Sequence, residues 1–157
     1  MATTRTIETI DELKQLVGQE LGAGEWVPIT QERVNAFADV TGDHQYIHVD
    51  PERAAATPFG GTIAHGYLTL SVLPLLRQDW EGIKVDLHPK MGINYGVNRV
   101  RFITPVRVGK RIRLRTRLLG VDDVAPDIHQ MTYQQTVEIE GEERPAMVAE
   151  TIARLYL

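Results

Sequence analysis

The stretch from Ile63 to Leu76 constrains this chain more than any other, because it is apolar on nearly every face. A helix lying on a surface carries a single apolar stripe, whereas one with no polar side must be surrounded by protein. The run is too short to span a bilayer and is interrupted by His65, Thr69, Ser71 and Pro74, so it belongs in a protein core. A long central helix over about Ile63 to Leu76 is expected. Pro74 either kinks it or starts a new turn, since an interior proline removes a hydrogen bond and costs about 3 kcal/mol.

Something has to cover that helix, and the second half of the chain supplies it. Beyond about residue 90 the apolar period changes from that of a helix to that of a strand. In Met91 to Thr104, Ile93, Tyr95 and Val97 occupy odd positions while Val100 and Phe102 occupy even ones, which predicts a β-bulge near Asn98. After a turn at Pro105 to Gly109, Ile112, Leu114, Thr116 and Leu118 alternate with Arg111, Arg113, Arg115 and Arg117, giving one core face and one solvated face. Further strands are predicted over about Gln130 to Glu140 and Ala146 to Leu157. Consecutive antiparallel strands after a helical first half give an α+β domain whose sheet buries one face on the apolar helix.

The first half reads as helices and turns. Ile7, Ile10, Leu13, Leu16 and Val17 fall at helical spacing, predicting an N-terminal helix over about 7–18 as an outer layer. Thr30 caps a helix through Val34, Phe37, Ala38 and Val40 that ends at Thr41-Gly42. Asp43 to Pro51 reads as irregular chain or turn. Asp50 then caps a short helix that starts at Pro51 and is broken by Thr57 to Gly61. No internal repeat or linker divides the 157 residues, so one domain over 1–157 is expected.

Composition narrows the function. A net charge of −4 provides no field to gather nucleic acid or anionic lipid, so neither a nucleic-acid partner nor a membrane is expected. The absence of cysteine removes disulfides, thiolate zinc sites, iron–sulfur clusters and a cysteine nucleophile together. The N-terminus has no apolar core of signal-peptide length and carries Glu8, Asp11 and Glu12, so a cytoplasmic location is expected.

Acid–base side chains gather in Thr41-Gly-Asp-His-Gln-Tyr-Ile-His48-Val-Asp50-Pro51, just ahead of Ile63-Ala-His65-Gly66 at the start of the apolar helix. Free N–H groups at a helix start suit an oxyanion, and Gly66 allows close approach. Each residue also has a plainer reading. Asp after Thr41-Gly42 is common in turns; a lone His48 is more often structural. His44 and His48 stand four apart, but a His-x3-His metal site needs a continuous helix, which Gly42, Ile47, Val49 and Pro51 oppose; no metal is expected. His65 is set aside as a helix-start histidine bonding a neighbouring loop. The arginines at 111, 113, 115 and 117, with Arg99 and Arg101, are read as solvated strand faces in preference to a coenzyme A phosphate site. Tyr46, Tyr67, Tyr95 and Tyr133 are read as core in preference to an acyl channel.

At these residues the chain resembles the MaoC-like hydratases and dehydratases of the hotdog fold, which include the (R)-specific enoyl-CoA hydratases. Asp43-x4-His48 stands where that family has its catalytic pair, with His65-Gly66 at the family's spacing. Val49-Asp50-Pro51 and Arg101-Phe-Ile-Thr-Pro-Val-Arg-Val-Gly109 extend the likeness over roughly residues 27–157. Tyr46 departs from the Asn-Pro of many members and is similar to the nodulation-protein-N-like subgroup, which bears on substrate length. The resemblance implies an antiparallel sheet wrapped around a long central helix, a homodimer with two sheets side by side, and an acyl-CoA thioester as substrate.

For that family the expected reaction is reversible hydration of a trans-2-enoyl-CoA to an (R)-3-hydroxyacyl-CoA. It needs water at the β-carbon, a proton at the α-carbon and a donor to the enolate oxygen. Asp43 and His48 are the candidates to hold the water, either one serving as base, and Gly66 N–H is the candidate donor to the thioester. No metal or organic cofactor is required. The alternatives are a non-catalytic thioester-binding module and a thioesterase of the same fold.

Overall fold

The computed structural model describes residues 5–157. Along the chain run β1 (Arg5–Ile7), α1 (Ile10–Lys14), β2 (Glu20–Ala23), β3 (Val27–Pro28), α2 (Gln31–Thr41), α3 (Tyr46–Val49), α4 (Pro51–Ala55) and α5 (Gly66–Ser71). A 3-10 turn (Leu75–Arg77) follows, then β4 (Glu81–Val85), β5 (Met91–Phe102), β6 (Arg111–Ala125), β7 (Ile128–Ile139) and β8 (Met147–Tyr156). One eight-stranded sheet runs in the order β1-β4-β2-β6-β7-β8-β5, with β3 pairing on β6. The β1–β4 pair is parallel and the rest are antiparallel.

Strict alternation on β6 does what the sequence predicts. Ile112, Leu114, Thr116 and Leu118 are fully buried, and opposite them on β7 stand Ile139, Val137, Gln135 and Tyr133. The other face carries the arginines, each tied to a neighbouring strand: Arg111 to Glu140, Arg113 to Glu138 at 2.6 Å, and Arg115 to both Glu138 and Glu20. Arg111, Arg113 and Arg115 thus hold carboxylates, whereas Arg117 donates to Gly18 O at 3.0 Å, Arg101 donates to Val100 O at 2.8 Å, and Arg99 stands exposed 3.9 Å from Glu150. The bulge expected near Asn98 is present as a register shift between Asn98 and Arg101, and a second lies between Asn94 and Gly96.

The central helix is shorter than its apolar run. Ile63 bridges to Arg107 in an extended segment, and Ala64 N–H donates to Val106 O at 2.8 Å, so the helix begins only at Gly66. At the other end Pro74 cannot donate to Leu70 O; Leu73 N–H reaches that carbonyl at 3.4 Å, and the chain tightens into the 3-10 turn. Pro74 thus starts a new turn. Leu68, Val72, Leu73 and Leu76 pack on Ile112, Leu114, Val137, Met147 and Ala149 of the sheet. The single chain does not surround the helix completely, for Tyr67 is 70% exposed.

The stripe over 7–18 is not one helix. Ile7 ends β1; Thr9 caps α1, its hydroxyl accepting Glu12 N–H at 3.2 Å; Leu16 lies in the turns that follow. Ile7, Leu13 and Leu16 still share one buried cluster with Leu21, Leu118 and Met131, so the spacing reported common burial instead of common secondary structure.

β5 at the end of the sheet contrasts with β6. Its apolar side chains Ile93, Tyr95, Val97 and Phe102 are 38–54% exposed, and Phe102 meets Tyr67 edge-on at 5.7 Å. Among the described residues no helix is long and apolar enough to cross a membrane.

Candidate active site

Three short segments meet at the start of α5. α2 ends at Gly42, whose φ of +80° is the left-handed conformation that glycine adopts most readily, and this turns the chain so that Asp43 stands exposed beyond the helix. The Asp43 carboxylate accepts Gln45 N–H at 3.3 Å. The next six residues, expected to be irregular, include the single helical turn α3, which buries His48.

His48 is held from two sides. Its Nδ1 lies 2.7 Å from Ile63 O, and because a carbonyl only accepts, Nδ1 carries the proton and Nε2 keeps its lone pair. Ile63 N–H returns a bond to Ile47 O at 3.0 Å, fastening α3 to the extended segment before α5. Burial pushes the His48 pKa below its ordinary 6.5 and nearby His65 adds to this, against the opposing effects of the Ile63 carbonyl and Asp43. A neutral imidazole at pH 7 follows.

His65 joins this pair. It caps α5 and is buried, its Nε2–H donates to Asp43 O at 2.9 Å, and its ring stacks on His48 with centroids 3.9 Å apart and planes at 24°. It does bond a neighbouring loop, as the sequence suggested, and that loop is the one bearing Asp43. Asp43, His48 and His65 bring their side-chain ligand atoms within 4.8 Å of one another, the spacing of a cation site. His44 lies outside the group, half-exposed on Asp39 at 2.9 Å.

Gln31 is a residue the sequence did not single out. Its Nε2 donates to His48 O at 2.7 Å and its Oε1 accepts from Thr62 Oγ1 at 2.6 Å, so one side chain of α2 links α3 to the segment leading into α5. Its partners lie 17 and 31 positions away, and nothing local in sequence signals such a contact.

Gly66 occupies the first position of α5, where N–H groups have no partner within the helix. A Cβ there would stand 2.7 Å from the ring of Phe102, so the close neighbour that requires glycine is this aromatic ring. One turn further along α5, a cavity of about 640 Å³ opens between the helix and the sheet, lined by Leu70, Leu73, Tyr95, Val97, Tyr133 and Leu155 among others. Tyr95 and Tyr133 therefore line a cavity, and Tyr133 is also core, as expected, buried with Leu118 and Met131. Tyr46 instead lies beneath the Arg53 guanidinium at 4.2 Å, and Tyr67 packs on Phe102.

Residues 12–140 match the MaoC like domain. This chain belongs to the MaoC-like family. MaoC-like relatives cover almost all of it: it is 53% identical over 150 residues to 3-hydroxyacyl-thioester dehydratase Z of Mycobacterium tuberculosis, covering 96% of this chain and 97% of that one. It is 49% identical over 146 residues to nodulation protein N of Rhizobium meliloti, covering 92% and 89%. Among solved structures, an (R)-hydratase from A. caviae involved in PHA biosynthesis superposes with a TM-score of 0.68 at 26% identity, covering 87% of this chain and 94% of that one. The MaoC-like hotdog fold expected from the motifs is the fold of this chain, with a shorter central helix.

Proposed function

We propose that this protein interconverts a trans-2-enoyl-CoA and an (R)-3-hydroxyacyl-CoA by adding and removing water. The observation that carries the reading is a buried His48 whose Nδ1 is held by Ile63 O, which leaves Nε2 available, in a group where Asp43, His48 and His65 each bring one side-chain ligand atom within 4.8 Å of the others. The name of the M. tuberculosis relative, a 3-hydroxyacyl-thioester dehydratase, supports it.

In the hydration direction the Asp43 carboxylate accepts one hydrogen of a water and His48 Nε2 accepts the other. The water oxygen bonds to the β-carbon as its proton passes to Nε2, and the electron pair of the double bond moves onto the thioester as an enolate. Gly66 N–H donates to that enolate oxygen, a bond that strengthens as charge develops and is worth about 10²–10³ in rate. The imidazolium then returns its proton to the α-carbon on the same face, so the elements of one water enter the product. Dehydration reverses each step. The 640 Å³ cavity one helical turn beyond Gly66 suits the acyl chain.

A homodimer formed through β5 would cover Tyr95, Val97, Phe102 and Tyr67, which are among the apolar groups that the single chain leaves in water. Light scattering should give twice the 17.7 kDa chain mass, and a monomer would remove this part of the reading.

The decisive experiment follows the conjugated enoyl-thioester absorbance on mixing with trans-2-enoyl-CoA of short, medium and long chain, beside Asp43→Asn and a free-thiol assay. Absorbance loss that requires Asp43 and releases no thiol supports a hydratase. Thiol release would make the protein a thioesterase, and no change at any chain length would leave a thioester-binding module.

A further inference from the structure

We propose that His65 is a positioning residue for the Asp43–His48 pair, holding the main chain of Asp43 by its Nε2–H and the imidazole of His48 by its ring face. This role rests on the hydratase reading above. The residue is well placed to impose geometry. It is 2% exposed, it is preceded by Ala64, whose N–H bonds Val106 O at 2.8 Å, and its ring lies between His48 at 3.9 Å and Phe37 at 5.0 Å. Its position is therefore fixed by the core of the domain, and it passes that position to two side chains on less constrained segments.

Asp43 depends on it most. The Asp43 segment is exposed, and its other close anchors are local ones: its own N–H to Thr41 Oγ1 at 3.4 Å and its carboxylate to Gln45 N–H at 3.3 Å. The bond from His65 to Asp43 O spans 22 residues and is what ties the carboxylate-bearing turn to the start of α5.

The chemistry also explains why a histidine stands here. Stacking on His48 needs a flat ring, and the bond to Asp43 O needs an N–H; phenylalanine offers only the first and glutamine only the second. With the proton on Nε2, Nδ1 becomes a buried acceptor, and it is the one buried side-chain polar atom among the described residues that has no partner. An unpartnered buried acceptor opposes stability. A residue present for packing alone would be more stable as phenylalanine, so the Nε2–H donor is what this position retains histidine for.

Steady-state kinetics of His65→Phe, His65→Gln and His65→Ala, with melting temperatures, test the role. The two partial replacements should each lower kcat about tenfold, and alanine about 10²-fold, the cost of a misplacement near 1 Å. KM should stay within about twofold in all three. Variants that melt earlier but turn over normally per folded molecule would make His65 merely structural and overturn the proposal. Nitrogen-15 NMR of the ring nitrogens in the unmodified protein provides a second test that needs no variant and no turnover. The expected tautomers are Nε2–H for His65 and Nδ1–H for His48; a His65 without a proton on Nε2 could not donate to Asp43 O and would overturn the proposal even if the variants do not fold. An inactive wild type with these tautomers would instead refute the hydratase reading.

Discussion

The sheet and the site segment are held by different physics. Across β6 and β7, burial repeats every second residue, and pairs such as Ile112 with Ile139 and Leu114 with Val137 exclude water by area. Between Gly42 and Gly66 the important contacts are a few directed hydrogen bonds to main-chain oxygens: His48 to Ile63, His65 to Asp43 and Gln31 to His48. Area is tolerant of small displacements, and a proton transfer is not. Stability should therefore reside in the first region and turnover in the second, each open to damage without the other.

The largest separation comes from Asp43→Asn, which should cost about 10²–10⁴ in kcat while leaving the melting temperature unchanged. The carboxylate is exposed, and an amide oxygen can still accept the Gln45 bond. Leu114→Ala should do the reverse, removing about 2–5 kcal/mol of stability by chemical denaturation with turnover per folded molecule preserved; the side chain is fully buried on the strand that carries the sheet. Gly66→Ala lies at the boundary of the two regions. Its Cβ would displace Phe102, an overpacking cost of about 1–3 kcal/mol, and the cost should shrink by more than about 0.5 kcal/mol in a Phe102→Ala background. Equal costs in both backgrounds would mean that the ring is not what requires glycine.

The smallest effect is a pH profile. His48 must be neutral to accept a proton, and burial holds its pKa below 6.5. kcat/KM should accordingly fall on the acid side with a midpoint below 6.5, approaching about tenfold per pH unit beyond it. The unfolded chain binds this proton more readily than the native one, so acid weakens the fold between pH 6.5 and the native His48 pKa, just above the range in which activity falls. A limb centred above 6.5 would mean that the titrating group is not a buried His48.

The same contrast explains what the sequence disclosed. β6 could be read residue by residue because one side is core and the other is paired charge, and the bulge near Asn98 was visible as a change of parity. β1 to β4 have between two and five residues each, too few to display a period, and were not expected. The Ile7 to Val17 spacing suggested a helix because a strand end, a helical turn and a loop residue bury Ile7, Leu13 and Leu16 in one cluster at helix-like intervals, although Val17 itself is exposed. Within the site, Asp43, His48 and Gly66 were identified from a resemblance in motif, and the structure brings them to one place. His65 and Gln31 act through contacts spanning 17 to 31 residues, and a side chain reaching a distant carbonyl leaves no trace in local composition.

Both imidazoles are oriented by main-chain oxygens, those of Ile63 and Asp43. A carbonyl is present whatever side chain its residue bears, so substitutions at position 63 that keep the chain extended leave the placement of protons untouched. Changes of length are another matter. In an extended chain successive residues face opposite ways, so inserting or deleting one residue between Ile63 and Gly66 would turn the Ile63 carbonyl away from His48. This stretch should accept many substitutions and almost no indels.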